Sequence, residues 1–380
     1  MKIAVNAAYI TERERSSGFG RYLENLLTGL STVEPRHEWV LFAPEALPME
    51  RPFPFPVIQL PDQGPRRRFP DRIVKSSPFL TGGFQGLFLP HFEYPSRFPE
   101  GVKTVMTVHD LIPTLFLKPD FLLRGRTPWF MLTTQGLLDG LRFRRVLPRL
   151  HRAVTVSETS LTDLRRLAGS RARNRLIAIR NAVDGAFTVQ SKEELAPILG
   201  NYGLPYKSYL FYFGGQAARK NLGIAAQAWA QLDAPLRHRY PLVVLGEGFW
   251  TNWIRRRPWG REIRFIPKTS LPNLCALIGG AAFTLYPSVY EGFGFPVLES
   301  LRCGTLPLVS DIPSNVELVG SGLEKFHPRR IQSIRALLAK KLGEGPAEPA
   351  AVRGLVDLDG YDWSSSAAAF SKIWDEPAQD

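Results

Sequence analysis

SVYEGFGFPVLESLRCG, residues 288–304, sets two glutamates, Glu291 and Glu299, on either side of seven residues that include Gly292, Gly294 and Pro296. An apolar run, FTLYP, begins just before it at Phe283, and a helical pattern closing on Gly304 follows. This order predicts strand, glycine loop and helix, with Pro296 in the first helical turn, where a missing N–H is tolerated. A helix opening onto a glycine loop presents unpaired backbone N–H groups and the positive end of its dipole, a setting that suits a phosphate. Glu291 falls in the loop and Glu299 about one turn into the helix. Two acceptor-only carboxylates are thereby placed to hold sugar hydroxyls on either side of a diphosphate. A plain strand–helix connection carrying two solvated acids is the alternative that this stretch leaves open.

Outward from this stretch, short apolar runs alternate with helix-length segments along the chain. One series of candidate strands lies at 2–8, 39–43, 86–91, 104–110, 153–157 and 176–183; a second lies at 209–215, 241–248, 263–267, 283–288 and 306–311. Near-continuous apolar runs separated in this way mark parallel sheets covered by helices, so two series predict two doubly wound α/β domains. The pattern breaks between 182 and 204, around the SKEE run. We place an N-terminal domain at 1–185, a C-terminal domain at 186–360 and a final helix at 361–380, capped by Asp362 or Ser364. The proline-rich piece 51–70 reads as a long loop.

A chain of 380 residues is long enough for two cores, and 44% hydrophobic with 22% charged residues is ordinary for a globular protein. Neither a signal peptide nor an 18-residue apolar run is present, which predicts a cytoplasmic protein. Cys275 and Cys303 sit in apolar helical contexts, with no disulfide framework and no metal-ligand spacing. The net charge of +13 is uneven: residues 1–180 hold 27 Lys and Arg against 16 Asp and Glu, and 181–380 hold 21 against 19. The excess concentrates in Arg66, Arg67, Arg68, Arg72, Lys75, Arg124, Arg126, Arg142, Arg144, Arg145, Arg149 and Arg152. Phe69, Phe79, Phe121, Leu122, Leu123, Trp129, Phe130 and Phe143 interleave with them. Such a mixture suits anionic headgroups and a peripheral place on the inner face of the cell membrane. Nucleic acid and a plain solvated face are the competing readings, and no nucleic-acid motif is present.

FYFGGQAARKNLGIAAQAWAQL, 211–232, reads as strand, turn and helix, with Arg219 and Lys220 at the strand's carboxyl end, where open α/β sheets bind ligands. A guanidinium fork with an ammonium suits a diphosphate leaving group and the charge it develops. In SSGFGRYLENLL, 16–27, Gly18 and Gly20 permit close backbone approach to an anion, a weak signal on its own. TVMTVHDLIP, 104–113, sets His109 and Asp110 at the end of a buried strand, with Asp110 placed to orient the His109 ring or hold local backbone. AVTVSETSLTDL, 153–164, ends a strand and caps a helix at Ser157 or Thr159. No Walker loop, Ser-His-Asp constellation or dinucleotide G-x-G-x-x-G pattern is present, which speaks against a nicotinamide enzyme.

Together these stretches resemble glycosyltransferase family four, retaining enzymes that use nucleotide sugars and have the GT-B fold, two Rossmann-like domains facing a central cleft. Residues 288–304 resemble its E-x7-E motif through Glu291, Gly292, Phe293, Gly294, Pro296, Glu299, Cys303 and Gly304. The resemblance implies that Glu291 touches the transferred sugar, that Glu299 holds the nucleotide ribose, and that Phe293, Gly294, Phe295, Pro296 and Val297 line the donor. Arg219, Lys220 and Asn221 match the family's G-x5-K-N element. Many members carry another arginine where this chain has Gly215, which leaves Arg219 as the single guanidinium. Gly18, Gly20, Arg21 and Tyr22 match the first glycine loop, and His109 matches a histidine that touches the donor sugar. Residues 156–160 match a V-S-E-x-S element, whereas IRNAVD, 179–184, departs from the family with Arg180 and Ala182 in place of proline and glycine. Ile266 and Lys268 fall where members lay backbone beside the nucleobase. The tail helix is implied to cross back to the N-terminal domain.

The implied activity is front-face transfer of a hexose, mannose from GDP-mannose by the HDLIP run, to a glycan or lipid-linked acceptor in bacterial-type polysaccharide assembly. It implies no obligatory protein nucleophile, no metal for the chemistry and no other cofactor. A UDP-sugar donor and a same-fold epimerase or phosphorylase stay open, and a nucleic-acid partner is not expected.

Overall fold

Thirteen strands, all pairing in parallel, build two sheets in the computed structural model, which describes residues 1–11, 18–33, 36–48, 53–60, 68–111 and 140–377. The first sheet comprises β1 (Lys2–Asn6), β2 (Glu38–Ala43), β3 (Val57–Gln59), β4 (Gly86–Leu89), β5 (Lys103–Val108), β6 (Arg152–Thr155) and β7 (Leu176–Ala178), in the order β3-β2-β1-β4-β5-β6-β7. The second comprises β8 (Leu210–Tyr212), β9 (Leu242–Leu245), β10 (Arg264–Ile266), β11 (Phe283–Tyr286), β12 (Leu306–Ser310) and β13 (Lys325–Phe326), in the order β10-β9-β8-β11-β12-β13. Central strands such as β4 and β11 are buried along their whole length, as strands covered on both faces must be. Each sheet belongs to its own compact unit: Met1–Ala182 with Tyr361–Asp380, and Val183–Gly360.

In both sheets the chain winds outward first one way and then the other. The order reverses between β1 and β4 in the first unit and between β8 and β11 in the second. At such a switch point adjacent carboxyl-end loops diverge and leave a crevice, the usual ligand site of doubly wound sheets. The candidate strands run past the observed ladders at these very ends. Residues 90–91, 109–110, 213–215, 246–248 and 287–288 leave the sheet as loops.

The reading of 51–70 as a loop is corrected by β3, an edge strand. Pro56 lacks an N–H but its carbonyl still accepts from Leu41 N at 2.8 Å, which is how proline survives at a sheet edge. The two-residue β13 also went unread, because so short a strand has no periodicity to detect. The polar SKEE run does not simply interrupt the pattern. Ser191 and Glu194 form a reciprocal capping box that starts helix Lys192–Asn201.

The tail forms helix Trp363–Lys372, capped by Asp362, whose side chain accepts from Ser365 N at 2.9 Å. It packs on helix Gly18–Thr32, where a Cβ on Gly29 would come within 2.6 Å of the Trp363 carbonyl oxygen. Trp374 lies on β4, and a Cβ on Gly86 would come within 2.6 Å of its ring.

The basic N-terminal surface needs a correction. Phe69, Phe79 and Phe143, expected among the arginines at a lipid-facing surface, are buried in the core. Helical spacing turns the aromatic residues inward and leaves Arg142, Arg144, Arg145 and Arg149 exposed. Arg152 is paired with Glu376 at 2.5 Å. Arg66, Arg67, Arg124, Arg126, Phe121, Leu122, Leu123, Trp129 and Phe130 lie outside the described residues. Among the described residues no helix is long and apolar enough to cross a membrane.

Candidate active site

In the Val183–Gly360 unit the loops after β8 and β11 are stitched together. Val289 N donates to the Arg219 carbonyl at 2.8 Å. Asn221, in the left-handed region at φ 59, donates from its side-chain amide to the carbonyls of Pro287 at 3.1 Å and Pro328 at 2.6 Å. Asparagine tolerates that conformation better than most residues, so it both turns the chain and ties it down. This stitching brings three expected residues into one cluster. Arg219 Nη1 lies 2.5 Å from Glu291 Oε2, and Lys220 Nζ lies 2.7 Å from Glu291 Oε1. Lys220 also donates to the Tyr286 hydroxyl at 3.2 Å.

Two cations share one carboxylate, so the cluster is net positive. Burial favours the neutral acid, yet the attraction of Lys220 and Arg219 outweighs it and holds Glu291 below its ordinary pKa. Burial, with the Arg219 charge, lowers the Lys220 pKa against the opposing pull of Glu291. Burial raises the Tyr212 and Tyr286 hydroxyls well above their ordinary range, so both stay protonated as donors. Tyr212 donates to the Gly215 carbonyl at 2.6 Å, which fixes the turn before Arg219.

Helix Phe295–Arg302 opens from Gly294, whose φ of 124 excludes most side chains; a Cβ there would come within 2.8 Å of Leu318. Phe293 is buried and meets Phe295 edge to face at 5.2 Å. Of the donor-lining residues expected here, Val297 has a fully buried side chain, and its N–H is taken by the Gly294 carbonyl at 3.0 Å. Pro296, in the first turn, has no N–H to offer. Glu299 is buried on the same helix and adds an electrostatic pull on Lys220. Ile266 is buried at the end of β10 and accepts from Gly246 N at 2.8 Å, and Lys268 is exposed just beyond it. Arg219, Lys220, Glu291 and Lys268 therefore all follow the carboxyl ends of strands of one sheet, and Ile266 is the last residue of such a strand.

In the first unit, His109 follows β5 and is buried. Its Nε2–H donates to the Pro90 carbonyl at 2.8 Å, which leaves Nδ1 as the acceptor. At Nε2 the partner that orients the ring is the Pro90 carbonyl. Burial, with His91 nearby, lowers the His109 pKa to about 3, so the ring is neutral. Tyr22 meets this ring edge-on at 4.6 Å and shares a hydrogen bond with Thr107 Oγ1 at 2.9 Å. Gly20 is buried in the first turn of its helix, and a Cβ on Gly18 would meet nothing within 4 Å.

Sequence reasoning passed over His91, at the carboxyl end of β4, which stacks on Phe19 at 4.3 Å and has its pKa lowered to about 4 by burial. Its place beside a switch-point strand was the available signal. Ser157, not Thr159, caps helix Glu158–Leu167. No group of three or more His, Cys, Asp or Glu is placed to hold a metal ion among the described residues.

Residues 200–345 match the model of the glycosyl transferases group 1 family, a segment that contains the Arg219–Lys220–Glu291 cluster. The chain is 28% identical over 285 residues to the O-antigen chain mannosyltransferase B of Escherichia coli, covering 73% of this chain and 70% of that protein. It is 28% identical over 169 residues to the GDP-mannose:cellobiosyl-diphosphopolyprenol alpha-mannosyltransferase of Xanthomonas campestris, covering 40% of this chain and 43% of that protein. Sucrose-phosphate synthase from Thermosynechococcus elongatus superimposes with a TM-score of 0.72 at 14% identity, over 99% of this chain and 98% of that one. That likeness speaks for the fold, which is GT-B.

Proposed function

We propose that this chain, tied to the glycosyl transferases group 1 family by its C-terminal unit, transfers mannose from GDP-mannose, with retention, to a glycan or lipid-linked acceptor. One observation carries the reading: Arg219 and Lys220 share Glu291 at the β8–β11 switch point, inside the matched segment. A cluster with one positive charge in excess, part-buried, suits a diphosphate that gains charge as the sugar departs. In this reading the two cations hold the diphosphate. Glu291 passes from them to a hydroxyl of the sugar, and Glu299 holds the ribose.

The relatives' mannosyl names support the choice of sugar, and a relative named for a diphosphopolyprenol acceptor supports the lipid-linked one. No metal takes part in this chemistry. A lipid-linked acceptor places the enzyme in the cytoplasm, peripheral on the inner membrane face.

Thermal unfolding with a panel of nucleotide sugars tests the donor. GDP-mannose at a hundredfold excess over its Kd stabilises by about 2.7 kcal/mol. Stabilisation by a UDP-sugar and none by GDP-mannose overturns the donor assignment and leaves the family standing. Labelled mannose appearing in a polyprenyl-diphosphate-linked glycan, in the presence of EDTA, completes the assignment.

A further inference from the structure

Helix Phe249–Arg255 and the turn Pro258–Glu262, in the Val183–Gly360 unit, concentrate aromatic and basic side chains that the proposed transfer does not use. Phe249 is 50% exposed, and Trp250, Trp253 and Trp259 are half-buried. Their rings run edge to face in a row, with centroids 5.2 Å apart from Phe249 to Trp250, 5.7 Å from Trp250 to Trp253 and 6.1 Å from Trp253 to Trp259. The row is seated through Trp250 on Gly223, where a Cβ would come within 2.6 Å of the indole.

Around it Arg255, Arg256, Arg257 and Arg261 are exposed. The Arg257 guanidinium lies 4.3 Å from the Trp253 ring centroid. The acids of this stretch are Glu247, paired with Arg255 at 2.8 Å, and Glu262, paired with Arg237 at 3.0 Å. Arg256, Arg257 and Arg261 have no carboxylate partner among the described residues.

We propose that the face bearing Phe249, Trp253, Trp259, Arg256, Arg257 and Arg261 docks this unit on an anionic phospholipid surface. Indole rings have an apolar body and a polar N–H and settle at the headgroup level, and arginines beside them meet lipid phosphates. A sugar chain or a nucleic-acid base would need an open ring face to stack on. Here the rings meet one another edge-on and Arg257 covers a face of Trp253, which favours insertion between headgroups over stacking. Among the described residues of the N-terminal unit, Phe69, Phe79 and Phe143 are buried in the core rather than set beside the arginines. The purpose of docking rests on the lipid-linked acceptor proposed above. The binding itself is measured without donor or acceptor, so its failure would leave that reading standing.

The test is flotation with phosphatidylcholine vesicles with and without phosphatidylglycerol, at low and high salt. The full chain is expected to float with the anionic vesicles at low salt, and brominated lipid is expected to quench its tryptophan fluorescence. A cation near such a surface contributes about fivefold in partitioning, so reversing three with R256E/R257E/R261E weakens binding by roughly a hundredfold or more. Phe249→Ser weakens it further with no change in charge. A parental melting temperature shows that each variant is folded. The control R142E/R144E/R145E binds as the parent does. Absence of flotation at low salt, unchanged binding of R256E/R257E/R261E, or loss of binding in the control alone overturns the proposal. So does binding of a single-stranded oligonucleotide without binding to vesicles.

Discussion

Replacing Glu291 by glutamine removes the carboxylate that Arg219 reaches at 2.5 Å and Lys220 at 2.7 Å. Orphaning a buried charge costs about 3–5 kcal/mol, and the partial exposure of the two cations, 22% and 13%, puts this case near the lower end, at about 3 kcal/mol. In a unit of this size that loss lowers the melting temperature by roughly 6–12 °C. Glutamine keeps the shape and one acceptor oxygen, so the loss reports charge rather than packing. A nucleoside diphosphate returns negative charge to the same two cations. GDP is therefore expected to raise the melting temperature of Glu291→Gln by more than it raises that of the parent, while turnover falls at least about tenfold. Because the folded Glu291 pKa is depressed, its stabilisation is present above the unfolded value near 4.3 and is lost as pH falls through the lower folded value. The gap between parent and variant thus holds at neutral pH and narrows only in acid. Differential scanning fluorimetry with and without GDP across pH reads all of this. Equal melting temperatures, or a GDP shift in the variant no larger than in the parent, would refute the electrostatic account.

Arg219→Ala and Lys220→Ala are each expected to lower turnover more than about tenfold, roughly 1.4 kcal/mol in the barrier, and initial-rate kinetics near parental in both would place the diphosphate elsewhere. Glu299→Ala is expected to weaken nucleotide binding chiefly, by roughly 1.5–3 kcal/mol for a charge-assisted bond, and calorimetry showing unchanged affinity would remove it from the ribose. His109 and His91 have pKa values lowered to about 3 and about 4 by burial, so the unfolded chain binds more protons and stability falls as pH drops below about 6.5. His109→Gln is expected to flatten that acid limb in pH-dependent unfolding, and a limb of parental steepness would count against a neutral buried ring.

The two sheets were legible because parallel strands buried on both faces read as unbroken apolar runs, and β4 and β11 are such strands. What escaped was short or peripheral. β3 sits at an edge among prolines, where the usual rule that proline ends a strand is relaxed. The boundary segment looked like linker because Ser191 and Glu194 are polar, and polarity alone does not separate a capping box from a loop. Strand ends were overrun because an apolar residue at a ladder's last rung and one in the first turn beyond it look alike in sequence. Only the hydrogen bonds part them.

The site shows the same division between residue type and partnership. That a carboxylate, a guanidinium and an ammonium emerge beyond the carboxyl edge of one sheet could be read from strand–loop–helix order. Their mutual pairing could not, because Arg219 and Glu291 are 72 positions apart and meet where Asn221 and Val289 tie their loops together. That pairing changes the chemistry expected of them. Cations held by a carboxylate are already positioned and partly neutralised, so in the proposed reading a diphosphate displaces Glu291 rather than filling an empty charge. Binding the donor would then free Glu291 for the sugar at the moment the sugar is present. The same logic governs the surface: Phe69, Phe79 and Phe143 share sequence neighbourhoods with arginines yet turn into the core, whereas Trp253 and Arg257 meet face to guanidinium at the surface. Composition places charge and apolar area in one stretch, and only the folded geometry decides whether they share a face.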